Sequence, residues 1–126
     1  MEELYLSFTN VTGAGLAHLT ALKGLWKLDL SYTNANDAGL AHLGGFRRLA
    51  NLDLSNTKVT DAGLAHLEGM TALWGLDLDG TATTDAGLVH LEGLKGLSSL
   101  RLSSTEVTEA GVDRLKGVLP DLDVYR

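Results

Sequence analysis

Aspartate recurs on a strict beat. Asp29, Asp53 and Asp77 are 24 residues apart, and Asp79 follows two positions after the last of them. Clustered carboxylates do general acid–base work, hold hard cations or draw in a positively charged partner. Four histidines, His18, His42, His66 and His90, keep the same interval, and imidazole both ligates metals and carries protons near neutral pH. Serines are frequent as well, so every ingredient of a Ser–His–Asp triad is present. Which chemistry is open to these groups depends on the elements that place them.

The interval runs through the whole chain. Leu4, Leu28, Leu52, Leu76, Leu100 and Val124 are spaced by 24, as are Leu6, Leu30, Leu54, Leu78 and Leu102. Thr9, Thr33, Thr57, Thr81 and Thr105 follow, then Gly15, Gly39, Gly63, Gly87 and Gly111. A register held without insertion across five copies is the signature of a repeat architecture. The units are 4–27, 28–51, 52–75, 76–99 and 100–123, with a closing half-unit 124–126, all in one domain, 1–126. Each unit contains two elements. Lys27-Leu28-Asp29-Leu30-Ser31 alternates polar and apolar residues, which is strand periodicity. Asn36 to Leu43 reads as a short helix, with Leu40 and Leu43 on one face. Asn36, Thr60, Thr84 and Thr108 are suited to its N-cap. Asp37, Asp61, Asp85 and Glu109 place negative charge at its positive end, where the first unit has only Gly13. Gly44, Gly69 and Gly93 suit the helix stop.

The motif Leu25-x-x-Leu28-x-Leu30-x-x-Thr33-x-Ala35, repeated as Leu49-x-x-Leu52-x-Leu54-x-x-Thr57-x-Val59, resembles the leucine-rich repeat family. That family usually has Asn or Cys where this chain has Thr, and a hydroxyl is a weaker bridge between turns than an amide. Val59 to Leu64 (Val-Thr-Asp-Ala-Gly-Leu) is similar to the 24-residue, ribonuclease-inhibitor-like repeats common in bacterial proteins. The resemblance implies an α/β solenoid, with parallel strands on one side and short helices on the other. Strands stack about 4.8 Å apart, whereas packed helices need about 8–10 Å. The stack must therefore curve into an arc, with strands on the concave face and helices on the convex one. Such concave faces are extended binding surfaces.

The strand residues facing away from the leucines fall into columns. The first holds Glu3, Lys27, Asn51, Gly75, Ser99 and Asp123; the central one holds Tyr5, Asp29, Asp53, Asp77, Arg101 and Tyr125. The third holds Ser7, Ser31, Ser55, Asp79 and Ser103, and just beyond lie Phe8, Tyr32, Asn56, Gly80 and Ser104. Neighbouring carboxylates about 5 Å apart oppose sheet formation, so a ladder of them suggests use. The expected partner-binding set is an acidic stripe of Asp29, Asp53, Asp77 and Asp79, ended by Arg101, with Tyr5, Phe8 and Tyr32 as anchors at its N-terminal end. The expected partner is a protein, cationic in character. The bland reading stands beside it: the aspartates are repeat inheritance and aid solubility.

The same placement disfavours the other chemistries. Histidines on successive helices are about 10 Å apart, whereas zinc ligands must all come within about 2.1 Å of one ion. Asp53, Asp77 and Asp79 lack the converging loop of a calcium site. Serines on the inner face and histidines on the outer one are separated by the leucine core, so they form no triad. No nucleophile elbow, zinc-protease helix motif, phosphate loop or dinucleotide fingerprint occurs. The chain is thus expected to be no enzyme, without cofactor or metal. The absence of cysteine excludes disulfides and thiolate sites. A net charge of −6 argues against a nucleic-acid partner. No apolar run approaches the roughly 20 residues that span a bilayer. The N-terminal residues Met1-Glu2-Glu3-Leu4 do not resemble a signal peptide, which favours a cytoplasmic setting.

Three further features complete the reading. Trp26 and Trp74 precede their strands where Ala50 and Ser98 stand in other units, and are expected to pack partly beside them. Asn10-Val11-Thr12 is a lone glycosylation sequon. The C-terminal residues offer a polar cap, whereas Leu4, Leu6, Val11, Leu16 and Leu19 are expected to form an uncovered edge. Such an edge means either a longer array or self-association through the N-terminal edge. The functional expectation is a protein–protein interaction module using its concave face; the alternative is a structural segment of a longer repeat protein with no partner of its own.

Overall fold

The computed structural model describes residues 2–126. Six three-residue strands, β1 (Glu3–Tyr5), β2 (Lys27–Asp29), β3 (Asn51–Asp53), β4 (Gly75–Asp77), β5 (Ser99–Arg101) and β6 (Asp123–Tyr125), form one sheet in chain order. Every pair is parallel and every register step is 24 residues, so Leu4, Leu28, Leu52, Leu76, Leu100 and Val124 lie side by side. Parallel neighbours need a crossover between them. Here that crossover carries α1 (Asp37–Leu40), α2 (Asp61–Leu64), α3 (Asp85–Leu88) and α4 (Glu109–Val118), the first three running straight into 3-10 turns. The first unit, with Gly13 in the acidic position, forms only a 3-10 helix, Ala14–Leu19.

The sheet is longer in hydrogen bonds than in strand residues. Leu30 N–H donates to Asp53 O at 2.9 Å and Tyr32 N–H to Ser55 O at 3.0 Å, and the same pair of bonds recurs at Leu54 and Asn56. On the other side of the strands, Ala50 N–H donates to Trp26 O and Trp74 N–H to Ala50 O, each at 2.8 Å. Backbone groups therefore find partners in the next unit around much of the coil, as buried peptide groups must. Between the layers runs one continuous core. Leu28, Leu30, Leu52, Leu54, Leu64 and Leu67 are fully buried, their equivalents Leu4, Leu6, Leu19 and Val124 in the end units are partly buried, and Phe46 and Met70 fill the place that Leu94 fills later. Thr83 is buried where Ala35 and Val59 stand in earlier units, and its hydroxyl pairs with that of Thr81 at 2.8 Å.

Four expectations need correction. Gly44, Gly69 and Gly93 do not end their helices in a left-handed conformation. Positive φ occurs instead just past the strands, at Phe8 (59°), Tyr32 (56°), Asn56 (54°), Gly80 (70°) and Ser104 (57°), where the chain turns off the sheet. The third column is only partly on display: Ser31 and Ser55 are each only 7% exposed, whereas Ser7, Asp79 and Ser103 are half-buried. The column threonines do not bridge turns; Thr33, Thr57, Thr81 and Thr105 each donate a hydroxyl hydrogen bond at 2.7 Å to the carbonyl three residues back, closing their own turn.

The fourth concerns the helix aspartates, which do more than face a helix dipole. Asp37 accepts hydrogen bonds from the Thr60 N–H (2.7 Å) and hydroxyl, Asp61 from those of Thr84 (2.8 Å for the N–H), and Asp85 from those of Thr108 (2.7 Å for the N–H). Each bond joins one unit to the next. A Cβ at Gly63, Gly87 or Gly111 would run into the carboxylate of the preceding unit, so the glycine makes room for the clamp. No buried side-chain nitrogen or oxygen lacks a hydrogen-bond partner among the described residues.

Candidate functional site: the sheet face

The outward faces of the strands and the turns just past them carry the candidate residues, and the structure sorts them into two groups. At the N-terminal end Phe8 and Tyr32 stack with ring centroids 4.5 Å apart and planes 9° apart. Both are open to solvent, Phe8 at 75% and Tyr32 at 52%. Both also occupy the left-handed region, which is rare for bulky side chains and costs roughly 1–2 kcal/mol per residue. Tyr5, exposed at the end of β1, donates its hydroxyl to Glu3 at 2.8 Å and has the Lys27 ammonium 5.3 Å from its ring centre.

Asp29, Asp53 and Asp77 lie in register on β2, β3 and β4, as their spacing requires. They are half-buried rather than splayed into water. Asp29 Oδ1 accepts from the Ser31 N–H (2.9 Å) and hydroxyl (2.7 Å), and Asp53 Oδ1 from the Ser55 N–H (2.9 Å) and hydroxyl (2.6 Å). Asp77 Oδ1 accepts the Asp79 N–H at 2.9 Å. One oxygen of each carboxylate thus holds the backbone as it leaves the strand. This supplies a structural role for a column whose charges repel one another.

The fourth unit departs from the pattern, with Asp79 in the serine position. Asp79 Oδ1 accepts the Ser103 N–H of the next unit at 2.7 Å, and its Oδ2 meets Arg101 Nε at 3.2 Å. Arg101 Nε also lies 3.4 Å from Asp77 Oδ2, and its guanidinium lies 5.9 Å from the Tyr125 ring centre. Arg101 does not merely end the stripe; it is the stripe's own counter-ion. Burial pushes the Asp77 carboxyl above its usual range, with the charges of Asp53 and Asp79 adding to the effect, while the Asp79 N–H and Arg101 oppose it. Asp79 in turn holds the Arg101 guanidinium more firmly protonated.

Three participants were absent from the expected set. Tyr125 is exposed beside Arg101. Trp74 is 46% exposed, whereas Trp26 is half-buried. Gly75 leaves a gap in the first column, and a recess of ≈ 150 Å³ opens there. Only the glycine signalled this in the sequence, by standing where Asn51 and Ser99 carry side chains.

The helical side offers less chemistry. His18 and His66 are exposed and His42 and His90 half-buried; His90 Nδ1 lies 3.6 Å from Glu68. Among the described residues no three or more His, Cys, Asp or Glu side chains gather to hold a metal ion. No described helix is long and apolar enough to cross a membrane.

No protein-family model matches the sequence, and no curated protein matches it significantly. Solved structures do. Over 99% of its length the chain is similar to an internalin of Listeria monocytogenes, with a TM-score of 0.71 and 19% identity. A second internalin of that organism, internalin C2, matches 98% of the chain with a TM-score of 0.66 and 23% identity. A leucine-rich repeat protein of Leptospira interrogans matches all of it, with a TM-score of 0.68 and 19% identity. The chain spans 41%, 60% and 37% of those three chains respectively. With six parallel strands, short crossover helices and a shared leucine core, the fold is that of a leucine-rich repeat solenoid.

Proposed function

We propose that this leucine-rich repeat arc is a protein-recognition module, non-enzymatic, whose partner lies across the concave sheet face. The contact residues are Tyr5, Phe8, Tyr32, Asp29, Asp53, Asp77, Asp79 and Arg101. One observation carries the reading: Phe8 and Tyr32 keep two large stacked rings in solvent on a backbone that disfavours them. Strained, exposed aromatics are found where function requires them, and aromatic anchors dominate the energetics of interfaces. Beside them the carboxylates of Asp29, Asp53, Asp77 and Asp79 outnumber the cations Lys27 and Arg101, so the preferred partner presents a basic surface.

The test begins with protein retained by the immobilised chain from a lysate of the source organism, then identified, purified and titrated back. Phe8→Gly with Tyr32→Gly removes both rings while allowing the left-handed turn. Asp29→Asn with Asp53→Asn removes charge while keeping the oxygen that accepts from Ser31 and Ser55. Each pair is expected to weaken binding by roughly tenfold or more, the range of interface anchors. Equal binding by every variant would move the contact off this face.

A second reading, a structural segment within a longer array, is favoured by one fact: each of the three solved relatives is longer than this chain. Retention of nothing by either wild type or variants would support it.

A further inference from the structure

We infer that the recess over Gly75 receives one cationic side chain, lysine or arginine, of a protein partner. The inference rests on the recognition reading above and gives that surface a specific chemical requirement.

Shape comes first. Gly75 pairs in register with Asn51 on one side and Ser99 on the other, so the row lacks one side chain. The gap is walled by Asn51, Asp53, Trp74, Asp77, Ser99 and Arg101. At ≈ 150 Å³ it is well below the roughly 300–1,000 Å³ of small-molecule pockets. It suits the end of a side chain rather than a cofactor or metabolite.

Charge comes second. The single guanidinium of Arg101 is drawn to Asp77 and Asp79, at 3.4 and 3.2 Å. No cation pairs with Asp53 among the described residues. The recess and its rim, with Asp53, Asp77 and Asp79 against the one guanidinium of Arg101, therefore keep an excess of negative charge. Trp74 supplies the third element: it lines the recess and is 46% exposed, and indole faces attract ammonium and guanidinium groups. A bare metal ion fits less well: Oδ1 of Asp53 and of Asp77 is already committed to the backbone, leaving too few oxygens for a six-fold shell.

The probe is N-acetyl-arginine amide, titrated into the ¹⁵N-labelled chain while the Trp74 indole N–H signal is followed by NMR. N-acetyl-citrulline amide, the same shape without the charge, is the control. A saturable shift with the arginine probe, weaker by roughly tenfold or more with citrulline, is expected. Gly75→Ser should abolish it by filling the recess. The added Cβ meets the Asn51 amide nitrogen at 2.9 Å, a flexible side-chain end, and Gly75 is not among the residues with positive φ, so the variant should fold. Circular dichroism checks that it does. Asp53→Asn, which keeps the Ser55 hydrogen bonds, should weaken the shift as well. No shift at tens of millimolar, equal shifts with both probes, or an undiminished shift in Gly75→Ser would each overturn the inference. The recognition reading fails by a different result, namely indifference of a purified partner to the Phe8/Tyr32 and Asp29/Asp53 pairs.

Discussion

Asp77 shows how one carboxylate is both held and penalised by its site. Its Oδ1 accepts the Asp79 N–H, yet burial and two neighbouring carboxylates raise its pKa above the ordinary 3.8. For an acid whose folded pKa is raised, the folded state binds the extra proton between the two values, so stability falls as pH rises through that window. At neutral pH the charge therefore works against the fold. Asp77→Asn keeps the acceptor and removes the charge. Thermal melts at pH 7 are expected to show a variant at least as stable as wild type, by up to about 1 kcal/mol; a clear loss would mean the Arg101 ion pair outweighs the penalty. The column position of Asp77 was legible in the sequence, because a period of 24 fixes which residues share a row. Its hydrogen bond to the backbone two residues on was not, because an alternating strand pattern takes no account of the chain bending off the sheet.

Short helices such as α2 and α3 cannot stand alone, since isolated helices below roughly 12–15 residues are marginal. They are secured by the clamps that Asp37, Asp61 and Asp85 make to Thr60, Thr84 and Thr108. The sequence shows both partners but reads each locally, as dipole charge and as N-cap, because the bond spans 23 residues. The Thr108 hydroxyl, and after it the Thr108 N–H, hold the Asp85 carboxyl below its usual pKa. A depressed acid contributes stability above its unfolded pKa and loses it as pH falls through the folded value. Asp85→Asn should therefore melt below wild type at pH 7, and the gap should close as pH drops below the ordinary 3.8. A gap independent of pH would show that the charge is not what the clamp uses. The first helix reads more directly: Gly13 in place of an aspartate predicts a weaker start, and only a 3-10 helix forms there.

Across the whole molecule, a unit finds burial only against its neighbours, which is why the repeat is so plain in the sequence. Any drift in register would expose leucines, so the 24-residue interval is written into every core position. The fold was therefore legible almost throughout. The sheet face was legible only in part: Tyr5, Asp29 and Asp53 follow from the columns, whereas the Gly75 recess arises from a side chain that is missing. Leu54 is fully buried in the third unit, and Leu54→Ala should cost about 2–5 kcal/mol in urea unfolding. Faster amide exchange should extend into the second and fourth units, because stability in such stacks is passed between nearest neighbours. A cost below about 1 kcal/mol, with exchange altered in the third unit alone, would mean that the units hold independently.

The clamps also bear on how such a chain changes over generations. Because Asp37, Asp61 and Asp85 bind equivalent threonines in the following unit, the partners are interchangeable. Loss of residues 52–75 through recombination between copies would bring Thr84 to the place of Thr60 beside Asp37. A duplication would make the opposite change without a new kind of joint. Inheritance can thus alter the length of the arc in whole units, while drift at the column positions alters what each unit shows to the outside.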